Sequence, residues 1–132
     1  MRGLWLAPLL LAAAPAGDPL AAAMEASAAG WNAGDLDRFM AVYADDAVYV
    51  TGKGLVRGRA AIAARYRPSF VGGGNRRGRL SFRVLGTRVI DPGHRMLWAE
   101  WTLTGRKVDR GMTSLLFERR REGWRIVADH SS

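Results

Sequence analysis

The segment from residue 31 to residue 50 restricts the fold of this chain more than any other. Asn32 and Gly34 tolerate the left-handed backbone that closes a helix. Asp35 can then cap a second helix with its carboxylate. The buried stripe of that helix would consist of four side chains at helical spacing, namely Leu36, Phe39, Met40 and Tyr43. Val48 and Val50 begin a strand, so the segment predicts helix, tight turn, short helix and strand in succession.

The rest of the chain predicts two further helices and four further strands. Asp18 and Pro19 suit the N-cap and first position of a helix over 18–33, and Pro68 should distort the last turn of a helix over 58–70. Alternating patterns and turn residues predict strands over 47–51, 80–90, 96–104, 111–119 and 124–130. The last four would form an antiparallel meander, which gives a single domain of the α+β class.

The strand over 96–104 is apolar on both of its faces. Met96, Trp98, Glu100 and Thr102 share one face, whereas Leu97, Ala99, Trp101 and Leu103 share the other. One face should pack on the helices. The other needs its own cover, which could be a second copy of the sheet in a homodimer or the contents of a cavity.

Composition narrows the function classes. The formal net charge is +8, but the basic residues are nearly all arginines scattered over loops, so the pattern argues against nucleic-acid binding. The chain has no cysteine, which excludes disulfides and a thiol nucleophile. Two histidines without a nearby carboxylate cluster predict no metal site, and no cofactor motif is present in the sequence.

The first 16 residues differ from all that follow. Arg2 precedes an apolar run from 4 to 13, and Ala14 and Ala16 fit the small-residue pattern of a signal-peptidase site. The run is too short to span a bilayer, which needs about 20 apolar residues, so no stable membrane anchor is expected. We predict a signal peptide over 1–16, a mature domain over 17–132 and export to the periplasm or medium. The alternative is a cytoplasmic protein with an uncleaved tail.

Three motifs resemble one protein family over essentially the whole mature chain. They are WNAGDLD at 31–37, YADDAVY at 43–49 and GWRIVADHSS at 123–132. Together they resemble the SnoaL-like and ketosteroid-isomerase-like branch of the nuclear transport factor 2-like superfamily. The resemblance implies a cone in which three N-terminal helices pack on a strongly bent, mainly antiparallel sheet around a pocket. Members are commonly dimers and include isomerases, cyclases, hydrolases and proteins without demonstrated chemistry, so the fold does not imply one function.

The same resemblance argues against ketosteroid isomerase activity. The oxyanion-donating tyrosine of those enzymes falls on Ser27, their general-base aspartate on Thr51 and their second oxyanion acid near Ser114 or Leu115. Proton abstraction beside a carbonyl needs a base and an oxyanion donor, and these positions offer neither. Whether the protein is an enzyme of another type stays open.

Three residues are candidates for catalysis: Glu100, His130 and Tyr43. Glu100 lies between two tryptophans and would have a raised pKa in an apolar pocket, although it could instead pair with Arg83 or Arg88. His130 follows Asp129 directly, so the two side chains point to opposite faces and cannot form a catalytic pair. Its alternative role is to anchor the end of the strand.

The sequence thus predicts a pocket that binds a small apolar or amphipathic ligand. The expected lining residues are Trp31, Phe39, Tyr66, Trp98, Trp101, Met112 and Ser114. An isomerase, cyclase or hydrolase that uses the three catalytic candidates is one alternative. A protein-interaction module that uses the outer face of the sheet is another.

Overall fold

The computed structural model describes residues 17–72 and 77–132, so the predicted signal peptide lies outside the described residues. Three α-helices and six strands follow one another in these two ranges. The helices are α1 (Pro19–Asn32), α2 (Leu36–Met40) and α3 (Arg59–Tyr66), and a 3-10 turn (Arg67–Ser69) extends α3. The strands are β1 (Tyr43–Thr51), β2 (Gly54–Arg57), β3 (Arg79–Asp91), β4 (His94–Thr104), β5 (Val108–Arg120) and β6 (Gly123–Ser131). The predicted α+β class is confirmed.

The start of α1 and the turn to α2 follow the local sequence signals. Asp18 caps α1, because its Oδ1 accepts a hydrogen bond of 2.8 Å from the backbone N–H of Leu20. Gly34 takes a positive φ of 71° in the turn, and Asp35 caps α2 by accepting from the N–H of Arg38 at 3.1 Å. These polar ends fix where the two helices meet.

The second helix is shorter than predicted. It ends at Met40, and Tyr43 is the first residue of β1 rather than the last residue of the helical stripe. The backbone carbonyl of Val42 accepts a hydrogen bond of 2.8 Å from Ile126, which draws the chain into the sheet immediately after α2. The prediction failed because Val42, Tyr43 and Ala44 are all buried, so helical spacing continued across the boundary by coincidence.

The sheet contains one strand that the sequence pattern did not reveal. Its order is β2-β1-β6-β5-β4-β3, and all neighbouring pairs are antiparallel except β1 with β6. The unpredicted β2 pairs with β1 across a tight turn at 52–53. Its residues are mostly exposed, so they lack the alternation that identifies a strand. The predicted helix over 58–70 is likewise divided into α3 and the 3-10 turn, which contains Pro68.

The core lies between the helices and one face of the sheet. The alternation of β4 placed Leu97, Ala99 and Leu103 on one face, and the structure turns this face inward, where the three side chains are buried. The register between neighbouring strands shifts between Val84 and Gly86 on β3 and between Leu116 and Phe117 on β5. Such bulges bend strands locally, which suits a sheet that wraps around helices.

Candidate functional site

A cavity of about 420 Å³ lies between the helices and the inner face of the sheet. Its volume falls within the range of about 300–1,000 Å³ that small-molecule sites occupy. Helix α1 contributes Met24, Ser27 and Trp31 to its wall, while the strands contribute residues such as Leu103 and Leu115. The cavity thus lies between the first helix and the sheet.

Aromatic rings form one side of this cavity. The ring of Trp31 meets those of Phe39 and Phe70 edge to face, with centroids 5.2 and 5.1 Å apart. Tyr66 adds a further edge contact to Phe39 at 4.9 Å. Trp31 is itself fixed, because its indole N–H donates a hydrogen bond of 2.9 Å to the carbonyl of Gly78. The result is a preorganised apolar wall, which costs a ligand little ordering entropy.

A buried carboxyl group gives the cavity its polar centre. Asp129 is only 3% exposed, and three hydroxyl groups surround it. Tyr43 donates to its Oδ2 at 2.5 Å, while Ser131 and Thr113 donate to its Oδ1 at 2.6 and 3.4 Å. All four side chains line the cavity. This cluster can therefore give or accept a hydrogen bond toward a bound polar group.

Burial shifts the acidities of this cluster. It raises the pKa of Asp129 above that of an ordinary aspartate, although the hydroxyl hydrogen bonds act in the opposite direction. The pKa of Tyr43 is raised well above the usual value by burial first and by Tyr66 and Asp129 next. Burial is also the main cause of the strongly raised pKa of Tyr66. Both phenols thus stay protonated at neutral pH.

The opening of the cavity is cationic and aromatic. Arg65 and Arg77 both line it, and the guanidinium carbon of Arg65 lies 5.4 Å from the centre of the Tyr49 ring. Trp101 packs across Gly111, where an added methyl group would clash with the indole. The Trp101 indole N–H donates to the carbonyl of Ser132 at 3.2 Å, which holds the ring in place.

The structure places half of the predicted lining and catalytic residues at this cavity. Those that line it are Trp31, Phe39, Tyr43, Tyr66 and Trp101. The other five, namely Trp98, Met112, Ser114, Glu100 and His130, do not line this cavity. The paired registers Trp98–Ser114 and Glu100–Met112 put them on the outer face, opposite the inward Leu97, Ala99 and Leu103.

Neither Glu100 nor His130 has the surroundings that a pocket acid or base needs. Glu100 lies 3.5 Å from Arg83, the alternative partner that the sequence suggested, and the Arg83 side chain is 71% exposed. His130 is an exposed residue of β6. Their outward positions remove both from direct contact with anything bound in the cavity.

Asp129 is the functional candidate that sequence reasoning missed. Strict alternation from the buried Ile126 would turn residues 128 and 130 inward. The register runs from Phe117–Ile126 to Leu116–Ala128, so Val127 is an extra residue on β6. This bulge reverses the alternation and turns Asp129 inward beside Leu115. The sequence offered one signal for this acid, namely Ser131, a hydroxyl residue two positions after Asp129 and on the same side of the strand.

In residues 17–72 and 77–132, no group of three or more histidine and carboxylate side chains could hold a metal ion. Within the same ranges, no helix is long and apolar enough to cross a bilayer.

Comparison with known proteins identifies the family. A family model described as SnoaL-like domain matches residues 20–132. The chain therefore belongs to the SnoaL-like family, and its three helices on a six-stranded mixed sheet form the nuclear transport factor 2-like fold. Superfamily members bind small molecules or act as isomerases. No curated protein matches the chain.

Solved structures agree with the fold. A nuclear transport factor 2-like protein of unknown function from Shewanella oneidensis MR-1 is 23% identical, with a TM-score of 0.76 over 87% of this chain and 97% of that one. A ketosteroid isomerase-like protein from Erwinia carotovora atroseptica SCRI1043 is 18% identical, with a TM-score of 0.65 over 86% and 92%. A protein from Thiobacillus denitrificans ATCC 25259, assigned as a calcium/calmodulin-dependent protein kinase type II association domain, is 29% identical, with a TM-score of 0.68 over 85% and 92%.

Proposed function

We propose that this protein binds a small, mostly apolar molecule that carries a polar group near its inner end. The supporting observation is the aromatic-walled cavity with the acidic cluster of Asp129, Tyr43, Thr113 and Ser131. Apolar walls supply affinity in such a site, and a few fixed polar groups select the orientation. A carbonyl or hydroxyl group of the ligand would meet the acidic cluster.

Binding can be tested with a neutral fluorescent reporter, N-phenyl-1-naphthylamine. The matched variants are Leu103→Trp and Thr104→Trp, because Leu103 is buried and lines the cavity whereas its neighbour Thr104 is exposed. We expect saturable reporter fluorescence in the parent protein, a loss of at least about tenfold in affinity with Leu103→Trp, and no loss with Thr104→Trp. Circular dichroism checks that both variants fold. Equal binding by folded forms of both would place the reporter outside the cavity and contradict the proposal.

Acid–base catalysis is the second candidate function. The favouring observation is the raised pKa of a buried acid that contacts a phenol inside the ligand cavity. In this role Asp129 moves a proton on the bound molecule, and Tyr43 turns its single O–H from Asp129 to donate a hydrogen bond to the oxygen of that molecule. Deuterium exchange at the carbon beside the carbonyl of 2-decanone provides a test. Asp129→Asn should abolish protein-dependent exchange, whereas the outward-facing His130→Gln should retain it. Exchange that persists in the folded Asp129→Asn variant would overturn this candidate.

Export is a further proposal, supported by the sequence of residues 1–16 alone. Asp18, the cap of α1, would follow the new N-terminus directly, so cleavage after Ala16 leaves the first helix complete. N-terminal sequencing of protein from the periplasm or medium should begin at Gly17. An intact Met1 on cytoplasmic protein would contradict export.

The final proposal is a homodimer formed through the outer face of the sheet. That face carries Met96, Trp98, Met112 and Leu116 on neighbouring strands, and Met112 is 43% exposed. A contiguous apolar patch on a folded domain marks an interaction surface. The alternative, an interaction module for a different protein, would use the same patch.

A further inference from the structure

Two arginines, Arg65 and Arg77, are among the residues that line the cavity. Elsewhere, Arg59 pairs with Asp45, Arg83 with Glu100, and Arg120 with Asp46 and Glu118. Within residues 17–72 and 77–132, neither Arg65 nor Arg77 forms an ion pair with an acidic side chain. Both nevertheless line the cavity, which leaves two cationic donors available to its contents.

Further positive charge lies beside Arg77. The backbone of Gly105 packs against that of Arg77, since a Cβ on Gly105 would lie 3.2 Å from the Arg77 carbonyl oxygen. Arg106 and Lys107 follow in the same turn between β4 and β5 and are exposed. The nearest acid along this turn is Asp109, opposite Leu103 in the register. The balance of side-chain charge around the turn is therefore positive.

Asp129 does not neutralise these arginines in the manner of an ion-pair partner. Its two carboxyl oxygens are already engaged by Tyr43, Thr113 and Ser131. Burial also disfavours its charged form. The cavity thus combines a buried acidic cluster, an aromatic middle that includes Trp31 and Phe39, and cationic groups on Arg65 and Arg77.

We propose that the ligand is an amphipathic carboxylate, with its apolar body among the aromatic rings and its carboxylate beside Arg65 and Arg77. This inference rests on the proposed binding function and adds the chemical class of the ligand. A guanidinium group presents two parallel donors that match a carboxylate, and such charge-assisted hydrogen bonds are among the strongest in proteins. The contact of Arg65 with the Tyr49 ring restricts its side chain and reduces the entropy lost on binding.

The test compares decanoate with decanol as competitors of N-phenyl-1-naphthylamine at neutral pH. The two competitors have the same number of carbon atoms, and only decanoate carries a charge. We expect the double variant Arg65→Gln/Arg77→Gln to lower the decanoate affinity about tenfold or more relative to the decanol affinity. Added salt should also weaken decanoate more than decanol in the parent protein. Arg88→Gln removes an exposed arginine of β3 that does not line the cavity, so it should leave the affinity ratio unchanged.

The outcomes separate the two proposals. An unchanged decanoate-to-decanol ratio in the folded double variant, with reporter binding that still depends on Leu103, would overturn the carboxylate assignment and leave cavity binding intact. An equal change of the ratio in Arg88→Gln would also overturn it, because the effect would then reflect total charge. Failure of the reporter to bind the parent protein would overturn both proposals.

Discussion

Asp129 shows how two opposing effects act on one buried acid. Removal from water disfavours its carboxylate form, while hydrogen bonds from Tyr43, Ser131 and Thr113 favour it. The direction of the shift shows that desolvation is the larger effect, because the pKa is raised. Without the three hydroxyl donors, the pKa of Asp129 would be raised further. The cluster therefore holds a carboxyl group in the cavity whose pKa lies above that of an ordinary aspartate.

Replacement of Asp129 by Asn should change the pH dependence of stability. A folded-state pKa above the unfolded value of about 3.9 means that the folded protein binds the proton more tightly. The free energy of unfolding contributed by Asp129 is then highest below the unfolded pKa and falls as the pH rises through the folded pKa. Asp129→Asn cannot titrate, and its amide can donate to the surrounding hydroxyl groups.

The measurement is urea unfolding of the parent and the variant from acidic to neutral pH. We expect the stability of the parent, relative to Asp129→Asn, to decrease with rising pH over this window. His130→Gln changes the exposed neighbour and serves as the control. A difference between parent and variant that increases with pH would show that Asp129 is stabilised in its charged form.

Side-chain size and strand pairing decide which residues of the cavity could be predicted from the sequence. Trp31, Phe39 and Tyr66 could be expected at the cavity they line, because large aromatic side chains on helices or helix ends are rarely left in water. Asp129 was missed because the extra residue Val127 in β6 changes the direction of the side chains that follow it. A bulge depends on pairing with the neighbouring strand, so local alternation cannot reveal it.

At the scale of elements, α1 and α2 approach each other most closely at Gly30. A Cβ at this position would clash with the backbone nitrogen of Phe39 and lie 2.8 Å from the Cβ of Arg38. The carbonyl of Gly30 also accepts a hydrogen bond of 2.8 Å from the N–H of Asp35. The helix therefore carries a glycine in its interior despite the cost of about 1 kcal/mol relative to alanine.

Gly30→Ala should destabilise the protein by about 1–3 kcal/mol, because the clash exceeds the gain in helix propensity. Ala26→Gly, at an exposed position on the same helix, should cost about 1 kcal/mol of stability, because glycine has the lower helix propensity. Denaturant midpoints of the two variants check both values. A Gly30→Ala protein more stable than the parent would mean that the two helices can separate at no cost.

The turn between β3 and β4 is tied to β5 by a histidine. His94 lies 2.8 Å from Asp91 through Nδ1 and 2.8 Å from Glu118 through Nε2. The hydrogen bonds to Asp91 and Glu118 raise the pKa of His94, and those from His94 lower the pKa of each of the two acids. Arg120 forms ion pairs with both Glu118 and Asp46, and Asp46 belongs to β1.

This histidine should make the protein more stable in mildly acidic than in alkaline solution. Its contribution is complete below the unfolded pKa of about 6.5 and is lost as the pH rises through the higher folded pKa. His94→Gln should remove this decrease in stability with rising pH. Thermal unfolding below and above neutral pH measures the decrease in the parent and in the variant. Since the His94 side chain is 35% exposed, its contribution to stability should also diminish at high salt. A decrease of the same size in His94→Gln would assign it to another group.

Elements with their own end signals were predictable, whereas those defined by pairing were not. Helix α1 and the turn to α2 have capping aspartates and a glycine with positive φ, all visible in the sequence. The short strand β2 has no buried stripe, and its existence depends on pairing with β1. Tyr43 was assigned to a helix because burial alone cannot distinguish a helix end from an adjoining buried strand.

At the scale of the whole molecule, the sheet separates two apolar regions with different contents. Its inner face holds the core and the cavity, whereas its outer face carries Met96, Trp98, Met112 and Leu116 without cover from the described helices. The family and fold were predictable because the chain carries their motifs from end to end. The ligand and the partner of the outer face were not, because they are determined by surfaces that fold alone does not specify.

Light scattering at micromolar concentration should therefore give twice the chain mass. The outer face is proposed to pair with its copy, and a stable interface of this kind buries about 800 Å² on each partner. Met112→Glu should weaken the dimer by on the order of a hundredfold, since it places two uncompensated charges in an apolar interface. Val89→Glu adds the same charge at a residue that is 65% exposed near the far end of β3, and it should leave the dimer intact. A monomeric parent protein would show that the outer face is either simply exposed or reserved for a different partner.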